Sequence, residues 1–156
     1  MAVKTNAMRI LDREKVSYVL HEYPLNGLEA AVDVPKHLGI TRDQLFKTLV
    51  TTDTKGGYFV FCIPSSEELD LKKAALAAGT KRIEMLKQRD LQKLTGYIHG
   101  GCSPIGMKKL FPTVVDQKAL EWDHVIMSAG KVGVLMEVDP RMLEQVVKAK
   151  FESVIK

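Results

Sequence analysis

Ala7, Met8, Ile10 and Leu11 recur at helical spacing behind Thr5, whose hydroxyl suits an N-cap, so a first helix is predicted from Thr5 to about Lys15. Val16–His21 alternates weakly and predicts a strand. Leu28, Ala31, Val32 and Leu38 suggest a second helical segment ending at Gly39. Pro35 lies inside it and should break or kink it, leaving Asp33 to cap a short second piece. Leu45–Thr52 and Tyr58–Ile63 are the clearest strands, and Asp53-Thr-Lys-Gly-Gly57 between them supplies the turn of a hairpin.

Further on, Asp70 caps a predicted helix with Leu71, Ala74, Ala75 and Ala78 inward and Gly79 at its end. Arg82–Met85 reads as a short strand and Leu86–Leu94 as a short helix stopped before Gly96. Val114–Asp116, Trp122–Ser128 and Val132–Val138 follow as strands. Asp139-Pro140 reads as an N-cap with proline at the first helical position, ahead of a helix with Leu143, Val146 and Val147 inward. Phe151–Ile155 closes the chain as a strand. Helices and strands mix without strict βαβ alternation. The expectation is an α/β (α+β) fold: one domain over residues 1–156, with a mixed, mostly antiparallel sheet and helices packed outside it.

Composition narrows the class. With 156 residues, 46% apolar and 27% charged, the chain is long enough for a core without staples and is neither a disordered tail nor a coiled coil. No apolar run approaches the ~20 residues of a membrane helix, and MAVKTNAMRI lacks the apolar centre of a secretory signal. A cytoplasmic setting, with Cys62 and Cys102 as reduced thiols, is expected. The net charge of +4 permits a phosphate-rich partner without demanding one.

The candidate chemistry is sparse. His21, His37, His99 and His124 and the two cysteines fit no zinc spacing, so no metal is expected. Gly96–Gly106, GYIHGGCSPIG, is the least regular stretch. It is no Walker loop, because Met107 stands where the lysine belongs. Its glycines can expose backbone N–H groups to a carbonyl, phosphate or oxyanion; equally, they can form a close crossing between packed layers. Cys102, three residues after His99, raises a Cys–His nucleophile, but no third group marks itself as an orienter, and a packed thiol is the plainer reading. Lys47 interrupts a strand apolar on both faces. It is either a buried ammonium that needs a partner or a wet cavity, or an edge-strand lysine that reaches solvent.

Three segments, Phe46-Lys-Thr-Leu49, Gly96-Tyr97 with Gly100-Gly-Cys-Ser-Pro-Ile-Gly106, and Ser128-Ala-Gly-Lys-Val-Gly133, occur in an order and spacing that resembles the YbaK/EbsC group. This group belongs to the YbaK/prolyl-tRNA synthetase-associated editing domain superfamily, and the resemblance covers essentially the whole chain. It implies a barrel-like sheet and a trans-editing deacylase that removes cysteine from mischarged Cys-tRNA(Pro), and from Cys-tRNA(Cys). The implied chemistry is attack by the substrate's own thiol on its carbonyl, with no cofactor and no metal. By this resemblance Lys47 falls on the essential lysine. Gly100, Gly101, Cys102, Ser103 and Pro104 form the loop around the aminoacyl group. Tyr23, Ser128, Gly130 and Gly133 line the same pocket. Val132 stands where relatives often carry arginine. Lys108, Lys109 and Lys131, and beyond them Lys72 and Lys73, are candidate contacts to tRNA phosphates, each otherwise a solvated surface lysine. The implied partners are the acceptor end of an aminoacylated tRNA and a prolyl-tRNA synthetase, with no membrane and no DNA. The alternatives are a deacylase for another small amino acid, such as alanine on Ala-tRNA, and a non-catalytic, regulatory EbsC-like binding protein.

Overall fold

The computed structural model describes residues 4–23 and 38–156. The helical segment predicted from Leu28, with Asp33 and Pro35, lies outside them apart from Leu38 and Gly39.

Helix α1 (Asn6–Arg13) is capped as predicted, the Thr5 hydroxyl accepting from the Met8 N–H, and it buries Ala7, Met8 and Leu11. It ends two residues before Lys15, whose φ of 59° turns the chain out of the helix. Strand β1 (Val19–Glu22) starts later than predicted. Val16 and Tyr18 instead pack against the core from the connection. The hairpin of β2 (Phe46–Thr52) and β3 (Tyr58–Pro64) matches its prediction closely. Helix α2 (Leu71–Ala78) carries its Asp70 cap, with the carboxylate accepting from Lys72 and Lys73, and its Gly79 end at φ 75°. Its buried residues are Ala74, Ala75 and Ala77, whereas Leu71 stays outside and lines a surface groove with Lys72, Leu76, Lys81 and Arg82.

Strand β4 (Glu84–Met85) is followed by α3 (Gln88–Thr95). The helix starts later than expected because the Leu86 N–H is still donated to Val50 on the sheet edge. Strand β5 (Thr113–Asp116) runs into an unpredicted 3-10 turn, Gln117–Glu121, capped by the Asp116 carboxylate on the Lys118 N–H. Strand β6 therefore begins at Val125, but it continues to Lys131, and β7 (Val134–Val138) starts after the Val132–Gly133 turn. Asp139 caps a turn at Arg141 rather than the helix itself, so α4 is Met142–Val147. The last strand, β8 (Lys150–Glu152), stops early because the Val154 N–H goes to the Asp116 carboxylate; Ile155 bridges Leu69 separately.

The strands form two sheets, β1-β7-β6 and β4-β2-β3-β5-β8. All pairs are antiparallel except β3 with β5 and β5 with β8. A parallel bridge from Leu45 to Ile126 joins the sheets at one corner. Among the described residues the barrel-like sheet does not close, a departure from the expected barrel.

Between the sheets lie Phe46, Cys62 and Val115 from one and Met127, Ala129, Met136 and Val138 from the other, with α1 and α4 packed against them. The outer face of the larger sheet, with Leu49, Phe61, Ile63 and Val114, is covered by Leu69, α2, Val154 and Ile155. Alternation along β2 thus sends Phe46 inward and Leu49 outward, which decides where Lys47 points.

Candidate active site

Lys47 is the second residue of β2 and shares the outer face with Leu49, opposite Ile63 on β3. Its neighbour Thr48 turns inward to Cys62. Lys47 pairs with Ile63 on one side; β4 meets β2 only at Thr51 and Thr52, and on that other side the neighbour nearest Lys47 is β6, through the bridge at Leu45. The side chain is half-buried, and no carboxylate among the described residues lies within ion-pairing distance of it. Burial pushes its pKa below the ordinary lysine value, and the positive charge of Arg42 pushes the same way; Glu68 and Glu67 pull it back up. Arg42 is tied down by the strand ends. Its guanidinium donates to the Ser65 carbonyl at 2.7 Å, and the Ser65 hydroxyl donates to the Arg42 carbonyl at 2.8 Å.

The isolated parallel bridge of Leu45 with Ile126 sets β2 next to β6, and Lys47 and Ser128, each two residues further along, lie on the same face of their strands. Ser128 pairs with Leu135 on β7, which pairs with His21 on β1. Ser128, Leu135 and His21 therefore form one row across three strands, with Lys47 on the neighbouring strand β2. Tyr23 packs onto Leu45, Ile126 and Leu135, and its N–H donates to the Gly133 carbonyl at 3.0 Å. The Ser128 hydroxyl accepts from the Gly130 N–H at 3.1 Å and helps shape the bulge between Ser128 and Lys131.

The glycine-rich loop after α3 meets this row at the β6–β7 turn. The Tyr97 hydroxyl donates to the Ile105 carbonyl at 2.6 Å, and the Asn6 side-chain amide donates to the Gly106 carbonyl at 3.0 Å, pinning the loop to α1. A Cβ on Gly101 would stand 2.9 Å from the Val132 nitrogen, and one on Gly130 would stand 3.0 Å from the Tyr97 ring. Gly130 also has φ 100°. Gly101 thus lets the loop approach the turn backbone to backbone, and Gly130 leaves room for the Tyr97 ring. Gly100 remains exposed on the loop, and Pro104 is buried at its end.

Cys102 turns away from Lys47. Cys102 packs among Val50, Val60, Tyr97 and Phe111 on the inner side of β2, and burial pushes its thiol up to about 12. His99 is exposed, so the Cys–His pairing raised from the sequence does not form. Cys62, also free, is likewise pushed up to about 12 by burial. The buried Ser103 hydroxyl accepts from the Ile105 N–H. What this part of the loop retains toward a ligand is backbone: among the described residues no acceptor takes the N–H of Cys102 or Ser103.

Of the candidate phosphate contacts, Lys131 is exposed on the turn against Gly101. Lys109 is exposed, while Lys108 lays its stem on Gly96 and donates to the Lys93 carbonyl at 3.3 Å. Lys73 donates to the Ile155 carbonyl. Arg42 and the His21–Glu137 pair escaped the sequence reading. Nothing in the spacing of Arg42 marks it, and His21 and Glu137 are 116 residues apart, joined only by strand pairing.

The sequence pattern of the aminoacyl-tRNA editing domain family matches residues 26–146. The EbsC protein of Enterococcus faecalis, by name a candidate Cys-tRNA(Pro)/Cys-tRNA(Cys) deacylase, is 45% identical over 152 residues, 97% of this chain and 93% of that protein. Among solved structures, the hypothetical protein APE2540 superposes with a TM-score of 0.89 at 23% identity, covering 97% of this chain and all of that one. A candidate trans-editing enzyme for prolyl-tRNA synthetase superposes with a TM-score of 0.84 at 22% identity, with 99% of each chain covered. At these identities the solved structures speak for the fold.

Proposed function

We propose that this chain, which belongs to the aminoacyl-tRNA editing domain family, is a trans-editing deacylase that releases cysteine from mischarged Cys-tRNA(Pro) and also acts on Cys-tRNA(Cys). The observation that carries the reading is Lys47: a half-buried ammonium with no carboxylate partner among the described residues. A charge kept in so costly a place suits a reaction that develops negative charge.

An aminoacyl ester is already activated, so positioning and charge stabilisation suffice. The substrate thiol attacks its own carbonyl carbon. The carbon–sulfur bond forms, the bond to the ribose oxygen breaks, and the thiol proton passes to that oxygen. The thiolactone then opens with water. Lys47 supplies positive charge facing the carbonyl oxygen, and the backbone N–H groups of Cys102 and Ser103 are donors on the loop side. Tyr23, Gly100, Gly101, Ser128, Gly130 and Gly133 wall the aminoacyl group, and Lys131 with Lys108 and Lys109 meets acceptor-stem phosphates. The high pKa of both protein thiols supports a mechanism in which the reacting sulfur belongs to the substrate. A prolyl-tRNA synthetase as second partner, and a cytoplasmic setting, complete the proposal.

The test is to incubate the protein with tRNAs charged with cysteine, alanine, serine and proline and follow loss of each ester. Selective release of cysteine is expected. Release no faster than in buffer alone would reduce the chain to a binding protein.

A further inference from the structure

The outer-face row does not end at the residues used above. His21 lies two strands beyond Ser128, and its Nε2 is 2.9 Å from Glu137 Oε1. Glu137 pairs with Ile126 on β6 and Val19 on β1, so it stands on the same face as Leu135, one position along the row. The two side chains are 30% and 31% exposed, neither sunk in the core nor free in solvent. A carboxylate on one ring nitrogen fixes the imidazole's orientation and leaves Nδ1 as the nitrogen able to meet a ligand. Tyr23 follows directly after the end of that strand and packs against the cluster of Leu45, Ile126 and Leu135.

An oriented imidazole, an aromatic ring and an apolar floor are the parts with which proteins hold an unstacked base, by stacking and by hydrogen bonds to its edge. The spacing suits such a ligand. Neighbouring strands are about 4.8 Å apart, which puts His21 roughly 10 Å from Ser128, the reach of one nucleoside from an ester on its own ribose. We propose that His21, oriented by Glu137, forms with Tyr23 and Leu135 the subsite for the terminal adenosine of the aminoacyl-tRNA, with the imidazole bonded to the base edge. The inference rests on the deacylase reading and adds the part of the substrate that the aminoacyl pocket leaves unexplained.

Two measurements separate the inference from that reading. In the first, deacylation of Cys-tRNA(Pro) is followed for the wild type, His21→Ala, His21→Gln and Glu137→Ala. Loss of a hydrogen bond to the base should raise KM about tenfold in His21→Ala with kcat within about twofold, less in His21→Gln, which keeps a polar group, and less again in Glu137→Ala. In the second, adenosine 5'-monophosphate is titrated into wild-type protein carrying labelled histidine. The ring resonances of His21 should shift, and ribose 5-phosphate should leave them in place. A wild type that binds adenosine monophosphate at His21 but deacylates nothing would overturn the enzymatic reading and leave the subsite standing. An active wild type whose His21→Ala variant keeps its KM, or loses only kcat, would overturn the subsite, as would adenosine monophosphate that leaves His21 unmoved.

Discussion

Replacing Lys47 with alanine should separate activity from stability. The ammonium has no carboxylate partner among the described residues, so its removal orphans no buried anion there. That distinguishes it from a broken buried ion pair, which costs about 3–5 kcal/mol because a charge is left behind. What is lost is the packing of a half-buried stem beside Leu49 and Ile63; what is gained is relief of the ammonium's desolvation, the first cause of its lowered pKa. The two terms oppose each other, so thermal stability should change by no more than about 1 kcal/mol, within the range of substitutions that open no cavity and bury no unpaired group. Activity answers to a different quantity. One charge aimed at a developing oxyanion is worth about 3–4 kcal/mol, a factor of about a hundred to a thousand in kcat. Lys47→Arg should rescue poorly, since a planar guanidinium is bulkier and differently aimed. The assay is release of cysteine from Cys-tRNA(Pro) beside a melting curve on the same preparation. A folded Lys47→Ala protein with near-normal kcat would refute the reasoning, and so would one that no longer folds.

Cys102→Ala should keep most of its activity while losing about 1 kcal/mol of stability, as expected for a trimmed buried side chain; a thousandfold loss of kcat in a folded variant would restore a thiol nucleophile. In native protein both thiols should react slowly with a disulfide reagent at pH 8, and quickly only after denaturation, because each is pushed up to about 12. Gly101→Ala should lower both the melting temperature and the activity, since its Cβ would press on the Val132 nitrogen at 2.9 Å and drive loop and turn apart; unchanged melting would show that the contact is soft. The Lys47 ammonium, followed by NMR of its side-chain carbon, should titrate below an ordinary lysine in the wild type and move upward in Arg42→Ala, because the Arg42 charge lowers it. A lowered native value means that the unfolded chain binds more protons between the two values, so this group's contribution to stability rises with pH across that window and is lost below it.

What could be read in the sequence follows from how local each signal is. The β2–β3 hairpin, the Asp70 cap and the Gly79 end were legible because each is set by residues within a few positions of one another. The late starts of α3 and β6 were not. Leu86 is held by Val50 across the sheet edge, and the turn after Asp116 is shaped by a carboxylate that also serves Val154. The early end of β8 has the same cause seen from the other side. Within the candidate site, Lys47 announced itself as a charge in an apolar strand. Period-two alternation placed it with Leu49, but could not tell which face the loop would cover. The structure lays Cys102 against the inner face with Val50 and Val60, so the thiol and the ammonium sit on opposite sides of one strand. Arg42 and the His21–Glu137 pair depend on pairings that only the folded sheet creates.

The cost of Lys47 explains why the surrounding backbone is held so firmly. A half-buried charge with no ion-pair partner among the described residues gains little from its neighbours beyond the pull of Glu68 and Glu67, so the frame has to hold it in place. That frame is visible on three sides. Ser65 and Arg42 exchange hydrogen bonds ahead of the strand, Ser65 also donates to the Leu45 carbonyl, and the Leu45–Ile126 bridge fixes β2 against β6. On the fourth side, Gly101 lets the loop close on the turn at backbone distance, Gly130 makes room for the Tyr97 ring, and the Asn6 amide ties the loop to α1 through the Gly106 carbonyl. A carboxylate partner for Lys47 would make the fold cheaper to maintain, but in the proposed mechanism it would also occupy the ammonium that faces the carbonyl oxygen. On the proposed reading, a charge left without an ion-pair partner is what separates Lys47 from a lysine that merely packs. It also yields a sharp expectation: Leu49→Glu, which puts a carboxylate two residues away on the same face, should draw the Lys47 pKa back toward its ordinary value and cut cysteine release. A variant that raises that pKa without touching the rate would show that the charge can be shared and that its isolation serves no catalytic end.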